Sequence, residues 1–281
     1  MVALRVGQRD LPDYAHRFAP KLYTQSQLLA CLVLKAFYRT DYRGIVAVLQ
    51  DSPELCRLLG LRRVPHFTTL QKASERLLRS AVVHRLLAAI VRLVLGAKRT
   101  IARAAADATG FEAGHVSPYF VRRRQRGQKQ ATNPLYATTT YTRFPKLNLI
   151  GHCATHLILA CHPGRGPAPD GPDLPRLLRR LPDLTVKQLL ADAGYDGEHH
   201  HRLLREGHGI RSLIPPLIGR RSDKPPAGRY RRLMKRLFRH PERTSYGQRW
   251  QAETIFSMIK RNLGHALHAR SYRSQCRELL L

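Results

Sequence analysis

The stretch VKQLLADAGYDGEHHHRLLREGHGIRSLIPP, Val186 to Pro216, reads as strand, helix, strand. Its short apolar runs, VKQLLAD and IRSLIPP, suit buried strands, and EHHHRLLREG between them suits a helix. Upstream lie a helical segment, LPRLLRRL (174–181), and a Pro/Gly loop, HPGRGPAPDGPD (162–173). That loop lacks G-K-[ST] and is no P-loop. Further back, LNLIGHCATHLILACH (147–162) reads as a strand pair turning near His152–Thr155. RTIARAAADATG (99–110) reads as a strand ended by the Thr109-Gly110 turn. Strands first, then alternating strand and helix, predict a mixed α/β sheet layered with helices.

The texture before Lys98 differs. Residues 24–96 read as helical, and PHFTTLQKASERLL (65–78) offers a capping box of Thr68 with Gln71. A helical bundle and a helix-turn-helix-like DNA-binding module both fit. The division is therefore an all-α region over 1–98, expected to bind DNA, and an α/β domain over 99–281.

Composition sets bounds on function. Hydrophobic residues are 43% of 281, so the chain is globular rather than a basic disordered tail. Lys and Arg number 49 against 19 acids, a net charge of +30 that calls for a polyanion as partner. The five cysteines form no C-x-x-C pair, which argues against a zinc ribbon or disulfide framework and for small core residues in a reducing cytoplasm. The N-terminus lacks a signal-peptide apolar core. The longest apolar stretch, Ala81–Ala97, is broken by His84, Arg85 and Arg92, so no membrane span is expected.

In so basic a chain the acids are informative. Asp107 and Asp192 both fall where a strand should end, the place where open α/β sheets gather ligand-binding groups. A strand-end turn aspartate is the plain alternative for each. Asp196 suits a helix N-cap. YGQRWQAETIFSMIKRNLG (246–264) holds one acid, Glu253. At about 100° per residue, Tyr246, Arg249, Glu253 and Lys260 share an arc of about 60°, beside an apolar face of Ala252, Ile255, Phe256, Met258, Ile259 and Leu263. A solvated Glu253–Arg249 pair is the plain reading of that stripe. Three carboxylates from two strand ends and one helix also make a small acidic island, suited to hard cations beside a phosphodiester.

The spacing Tyr246-x2-Arg249-x3-Glu253-x6-Lys260 resembles in full the Y-R-E-K signature of bacterial insertion-sequence transposases of the DDE type. LLADAGYDG and AADATGFEA resemble that family's second and first motifs, and residues 41–77 resemble the helical region of the branch related to insertion sequence five. The resemblance covers nearly the whole chain. It implies a ribonuclease-H-like core with catalytic, metal-holding Asp107, Asp192 and Glu253, on a first strand, a fourth strand and a helix. It implies Mg²⁺ (or Mn²⁺), and Tyr246, Arg249 and Lys260 on DNA. Its activity would be binding of terminal inverted repeats, DNA cleavage and strand transfer, by a homodimer in a synaptic complex with double-stranded DNA, in the cytoplasm at the nucleoid. A nuclease of the same fold and an inactive DNA-binding remnant are the rivals. The chain stops at RELLL, in an apolar run that reads as the start of a helix where relatives continue, and truncation is one reading of that.

Other signals carry weaker expectations. RRRQRGQK, with Arg122, Arg123 and Arg124, and the run 220–243, with Arg231, Arg232, Lys235 and Arg236, read as DNA-facing loops or as solvated charge runs. HHH at 199–201 is expected on a surface helix rather than at a metal, because neighbours on a helix point about 100° apart. Trp250 is expected to pack into the core, with base stacking as the alternative.

Overall fold

The computed structural model describes residues 1–97, 99–113, 143–217 and 226–281. Arg122, Arg123 and Arg124 therefore lie outside the described residues. Six helices come first: α1 Val2–Asp10, α2 Gln25–Phe37, α3 Tyr42–Gln50, α4 Pro53–Leu58, α5 Phe67–Leu77 and α6 Ser80–Leu95. Their apolar stripes meet in one core around Leu32, Ile45, Leu49 and Leu70. The capping box is Thr24 with Gln27, which starts α2, and not Thr68 with Gln71. At α5 the cap falls two residues earlier, where the His66 ring accepts the Thr68 amide. Either side chain can accept an orphan amide; the backbone turns extended at His66, and that decides which one does.

The second region is built on a five-stranded sheet. In chain order its strands are β1 Ala104–Gly110, β2 Phe144–His152, β3 Ile158–Gly166, β4 Gln188–Ala191 and β5 Arg211–Leu213, lying side by side as 3-2-1-4-5. β1, β2 and β3 pair antiparallel; β1, β4 and β5 pair parallel. This mixed sheet, with its helices, is the ribonuclease-H-like layout that the motifs imply. The strand pair turns at residues 153–157, close to the expected place. The parallel members need crossover connections, supplied by α7 Leu174–Leu178 before β4 and α8 Glu198–Arg202 before β5. After β5 come α9 Arg229–Leu237, α10 Gln251–Leu263 and α11 Tyr272–Leu280. The RELLL run is thus the last part of α11 rather than the start of a helix.

Strand alternation divides the core. Ala104 and Ala106 of β1 face Val91, Leu174, Leu177 and Tyr195. Ala105 and Leu190 face the other way, toward Ala252 of α10 and Met234 of α9. Next to them Leu147, Leu149 and Cys161 receive Ile255 and Phe256 of α10, burial of about 1.5–3 kcal/mol for each large side chain. Small residues allow the close seat: a Cβ on Gly151 would lie 2.1 Å from Ile255. Leu87 of α6 and Leu279 and Leu280 of α11 join the same cluster, so the helical region and the sheet region share packing. Among the described residues no helix is long and apolar enough to cross a membrane.

Candidate active site

Asp107 lies within β1 and Asp192 directly follows β4. The register Ala106↔Ala191 sets the two aspartates next to each other across neighbouring parallel strands, where strands lie about 4.8 Å apart. Both sit two residues beyond Ala105 and Leu190, which pack on Ala252 of α10. The strand period of two therefore turns both toward the face that α10 covers. Glu253 occupies the next position of α10 after that buried Ala252.

Arg249 ties the helix side to the strand side. Its Nη1 lies 3.2 Å from Asp107 Oδ2, while Nη2 donates to Glu253 Oε1. Asp107 Oδ1 accepts the Ala108 amide at 2.8 Å. Asp192 Oδ1 accepts the Gly194 amide at 2.9 Å, capping the turn that follows. Burial pushes the Asp107 carboxyl up to about 6; the Ala108 amide and Arg249 oppose that, and Asp192 and Asp170 add to it. The Tyr246 hydroxyl is raised by burial too, with Asp192 and Asp107 adding their charge. Lys260 Nζ donates to Thr109 Oγ1 at 2.8 Å, which holds its ammonium two residues from Asp107 on β1.

Several expectations change here. Tyr246–Trp250 is a 3-10 turn and the α-helix starts at Gln251, so the stripe is not one continuous α-helical arc. Met258 and Leu263, placed on the buried face by the wheel, are 46% and 44% exposed. Trp250 is 55% exposed, not core: the tighter turn swings it out before the buried face of α10 begins. His200 and His201 are buried, whereas His199 is exposed, so HHH is not a surface run. The His201 ring contacts Ser212 Oγ of β5 at 2.8 Å, and the His200 ring contacts the Tyr195 carbonyl at 2.9 Å. Asp196 is not an N-cap; its buried carboxylate takes Arg231 in a bidentate pair, Nε donating to Oδ1 at 3.1 Å and Nη2 to Oδ2 at 2.7 Å. Arg231 is therefore engaged within the fold, while Arg232, Lys235 and Arg236 on the same helix are exposed.

Two neighbours were not singled out in the sequence, Tyr195 and Asp170. Tyr195 is fully buried, and its hydroxyl is pushed well up by burial, with Asp170, Asp107 and Asp192 adding to it. Asp170 lies in the Pro/Gly loop and pairs with Lys146 Nζ at 2.5 Å. The tyrosine inside LLADAGYDG was in view, but nothing local marks Asp170; a contact made through a long loop leaves no periodicity.

Among the described residues no three His, Cys, Asp or Glu groups are gathered closely enough to hold one metal ion. The donor chemistry nonetheless fits a hard divalent cation: two hydrogen-bonded aspartates side by side, with a third carboxylate tied to one of them through a guanidinium.

Comparison with known proteins agrees on the family. A family model described as "Transposase DDE domain" matches residues 99–281. The chain belongs to that transposase family. No curated protein matches the chain. Two solved structures are similar at 11% identity, the Mos1 strand transfer complex and a pre-cleavage Mos1 transpososome. They cover 98% and 92% of this transposase-family chain, over 79% and 82% of their own, with TM-scores of 0.24 and 0.22, too low to bear on the fold.

Proposed function

We propose that this chain binds the inverted repeats at the ends of its element, cuts phosphodiester bonds there and joins the freed 3′-hydroxyl to target DNA. The observation that carries the reading is the Ala106↔Ala191 register, which sets Asp107 beside Asp192 on the face covered by α10. Membership of the transposase DDE family supports it.

In this reading Asp107, Asp192 and Glu253 would hold a divalent cation, Mg²⁺ or Mn²⁺, by their hard carboxylate oxygens. When bound, such an ion supplies positive charge that favours the attacking and leaving oxygens of phosphodiester chemistry. The chain's own residues do the rest. The Ala108 and Gly194 amides orient the two aspartates through one oxygen each. Arg249 keeps Glu253 turned toward Asp107. Lys260, held at Thr109, and Tyr246 contact phosphates near the cut, and exposed Arg232, Lys235 and Arg236 contact the flanking backbone. Two copies of the chain pair the two ends as a homodimer.

The test is a strand-transfer assay with end-bearing duplex and Mg²⁺. Glu253→Gln is expected to lower both cutting and joining by about two orders of magnitude or more while DNA binding stays nearly intact. Cutting without joining by the wild type would favour a nuclease. No cutting by the wild type would favour a DNA-binding remnant.

A further inference from the structure

A cleft of about 810 Å³ opens beside the edge strand β3, between the α5–α6 turn, the loop leading to α7, and α11. Six arginines line it: Arg79, Arg165, Arg176, Arg180, Arg273 and Arg277. Its two acids are already paired, Asp173 with Arg176 at 2.7 Å and Glu75 with Arg277 at 3.3 Å. Six less two leaves Arg79, Arg165, Arg180 and Arg273 with no carboxylate partner among the described residues.

Arg180 is fixed in place by neutral acceptors only. Its Nη1 donates to the Cys161 carbonyl at 3.0 Å and to His162 Nδ1 at 2.6 Å, and Nη2 donates to Ser80 Oγ at 3.1 Å. Arg165 Cζ lies over the Tyr272 ring, 3.9 Å from its centroid. Two guanidiniums are thus pre-oriented and two are free to close on a ligand. Burial and Arg180 hold the neighbouring His162 and His84 down at about 4, so both are neutral near pH 7 and the cleft's charge is the arginines' own. Forked, always-charged donors suit phosphate oxygens better than any neutral ligand.

The cleft's position supplies the partner. Pro163 and Arg165 of β3 are in register with Leu147 and Pro145 of β2, and Leu147 is in register with Thr109 of β1, so by the strand period of two these lining residues share the sheet face of Asp107. Two strand spacings, about 10 Å, separate β3 from the strand that carries Asp107. At about 3.4 Å per phosphate along one strand, that is a few nucleotides.

We propose that this cleft is a second phosphate site, which grips the backbone of a nucleic-acid strand a few nucleotides from the Asp107–Asp192 pair. It rests on the reading of the chain as a DNA-binding protein. The experiment follows a fluorescein-labelled duplex by anisotropy against salt, with the full chain and with Arg79→Gln/Arg273→Gln. Both residues are exposed, so the melting temperature should not move. Loss of two phosphate contacts is expected to flatten the log–log slope by about 1.8. An unchanged slope, with the wild type binding steeply, overturns the cleft and spares the DNA reading. A wild type that binds no DNA overturns both. Inorganic tripolyphosphate is titrated by calorimetry in parallel. Saturable binding to the wild type and not to the variant, with the DNA slope unchanged, would mark a free-phosphate site and overturn the strand assignment.

Discussion

Asp196 has no side-chain exposure, yet it carries its charge. Burial pushes its carboxyl up, but the His201 ring, the Arg231 fork and the Leu217 amide outweigh that and hold it down at about 2. A carboxyl held below its unfolded value stabilises the fold above about pH 4, and the contribution is lost as pH falls toward 2. Asp196→Asn should therefore cost about 3–5 kcal/mol at neutral pH, because it leaves Arg231 half-buried without its counter-charge. Urea midpoints measured from pH 6 downward should converge for wild type and variant as pH approaches 2; a gap that stays constant would show that ionisation is not the source. At this scale the sequence was only partly legible. Asp192 does follow its strand, a local feature, whereas Asp107, expected at a strand end, lies within β1, which stays paired with β2 through Gly110. Asp196 was misassigned because an acid before a helix looks like a cap, and its partner lies 35 residues on. His200 and His201 were assigned to the surface because helix neighbours point about 100° apart and cannot share one ion, but α8 packs against α9 and β5 and turns two of its three rings inward.

The helix that carries Glu253 shows how an element is held at both ends. At its start the Tyr246–Trp250 turn feeds directly into α10, with no side-chain cap. At its end Arg39, from the helical region, donates to the Arg261 and Asn262 carbonyls, two of the orphan acceptors of a helix C-terminus. A cation there also meets the negative end of the helix dipole. Arg39 itself holds a positive φ of 50°, uncommon for a residue with a side chain, so the chain turns sharply in placing it. Arg39→Ala should cost about 1–2 kcal/mol and lower the melting temperature by a few degrees, about 2–4 °C for each kcal/mol. Its effect on cleavage should exceed its effect on DNA binding, because α10 sets where Glu253 stands; equal losses would mean that Arg39 contacts DNA. Apolar runs and turn residues foretold α10 and all five sheet strands, since period and turn residues are local. It did not foretell the 3-10 entry, where five residues follow a tighter winding and shift every later position on the wheel. Nor did it show Arg39, whose contact spans more than 220 positions.

For the whole molecule, charge is the organising quantity. A net +30 would disfavour the folded chain by self-repulsion unless anions gather on it, and the acids are too few to neutralise it internally. Some of the basic side chains are spent inside the fold, as Arg231 on Asp196 and Arg249 on Asp107 and Glu253. Others stand free on α9, whose Glu198 partner accepts the Tyr230 and Arg231 amides and so fixes the helix N-terminus against α8. One basic segment therefore holds two kinds of arginine that its sequence cannot separate, and a salt titration can. Removing three exposed charges as Arg232→Gln/Lys235→Gln/Arg236→Gln should flatten the log–log slope of DNA binding by about 2.7, for end-bearing and random duplex alike, with the melting temperature nearly unchanged. Arg231→Gln should do the reverse. The slope should hold, because that guanidinium is already neutralised within the fold, and stability should fall by about 3–5 kcal/mol, because a buried carboxylate loses its fork. Slope loss for Arg231→Gln, with stability intact, would mean that Asp196 releases it to DNA and that α9 moves when the duplex arrives.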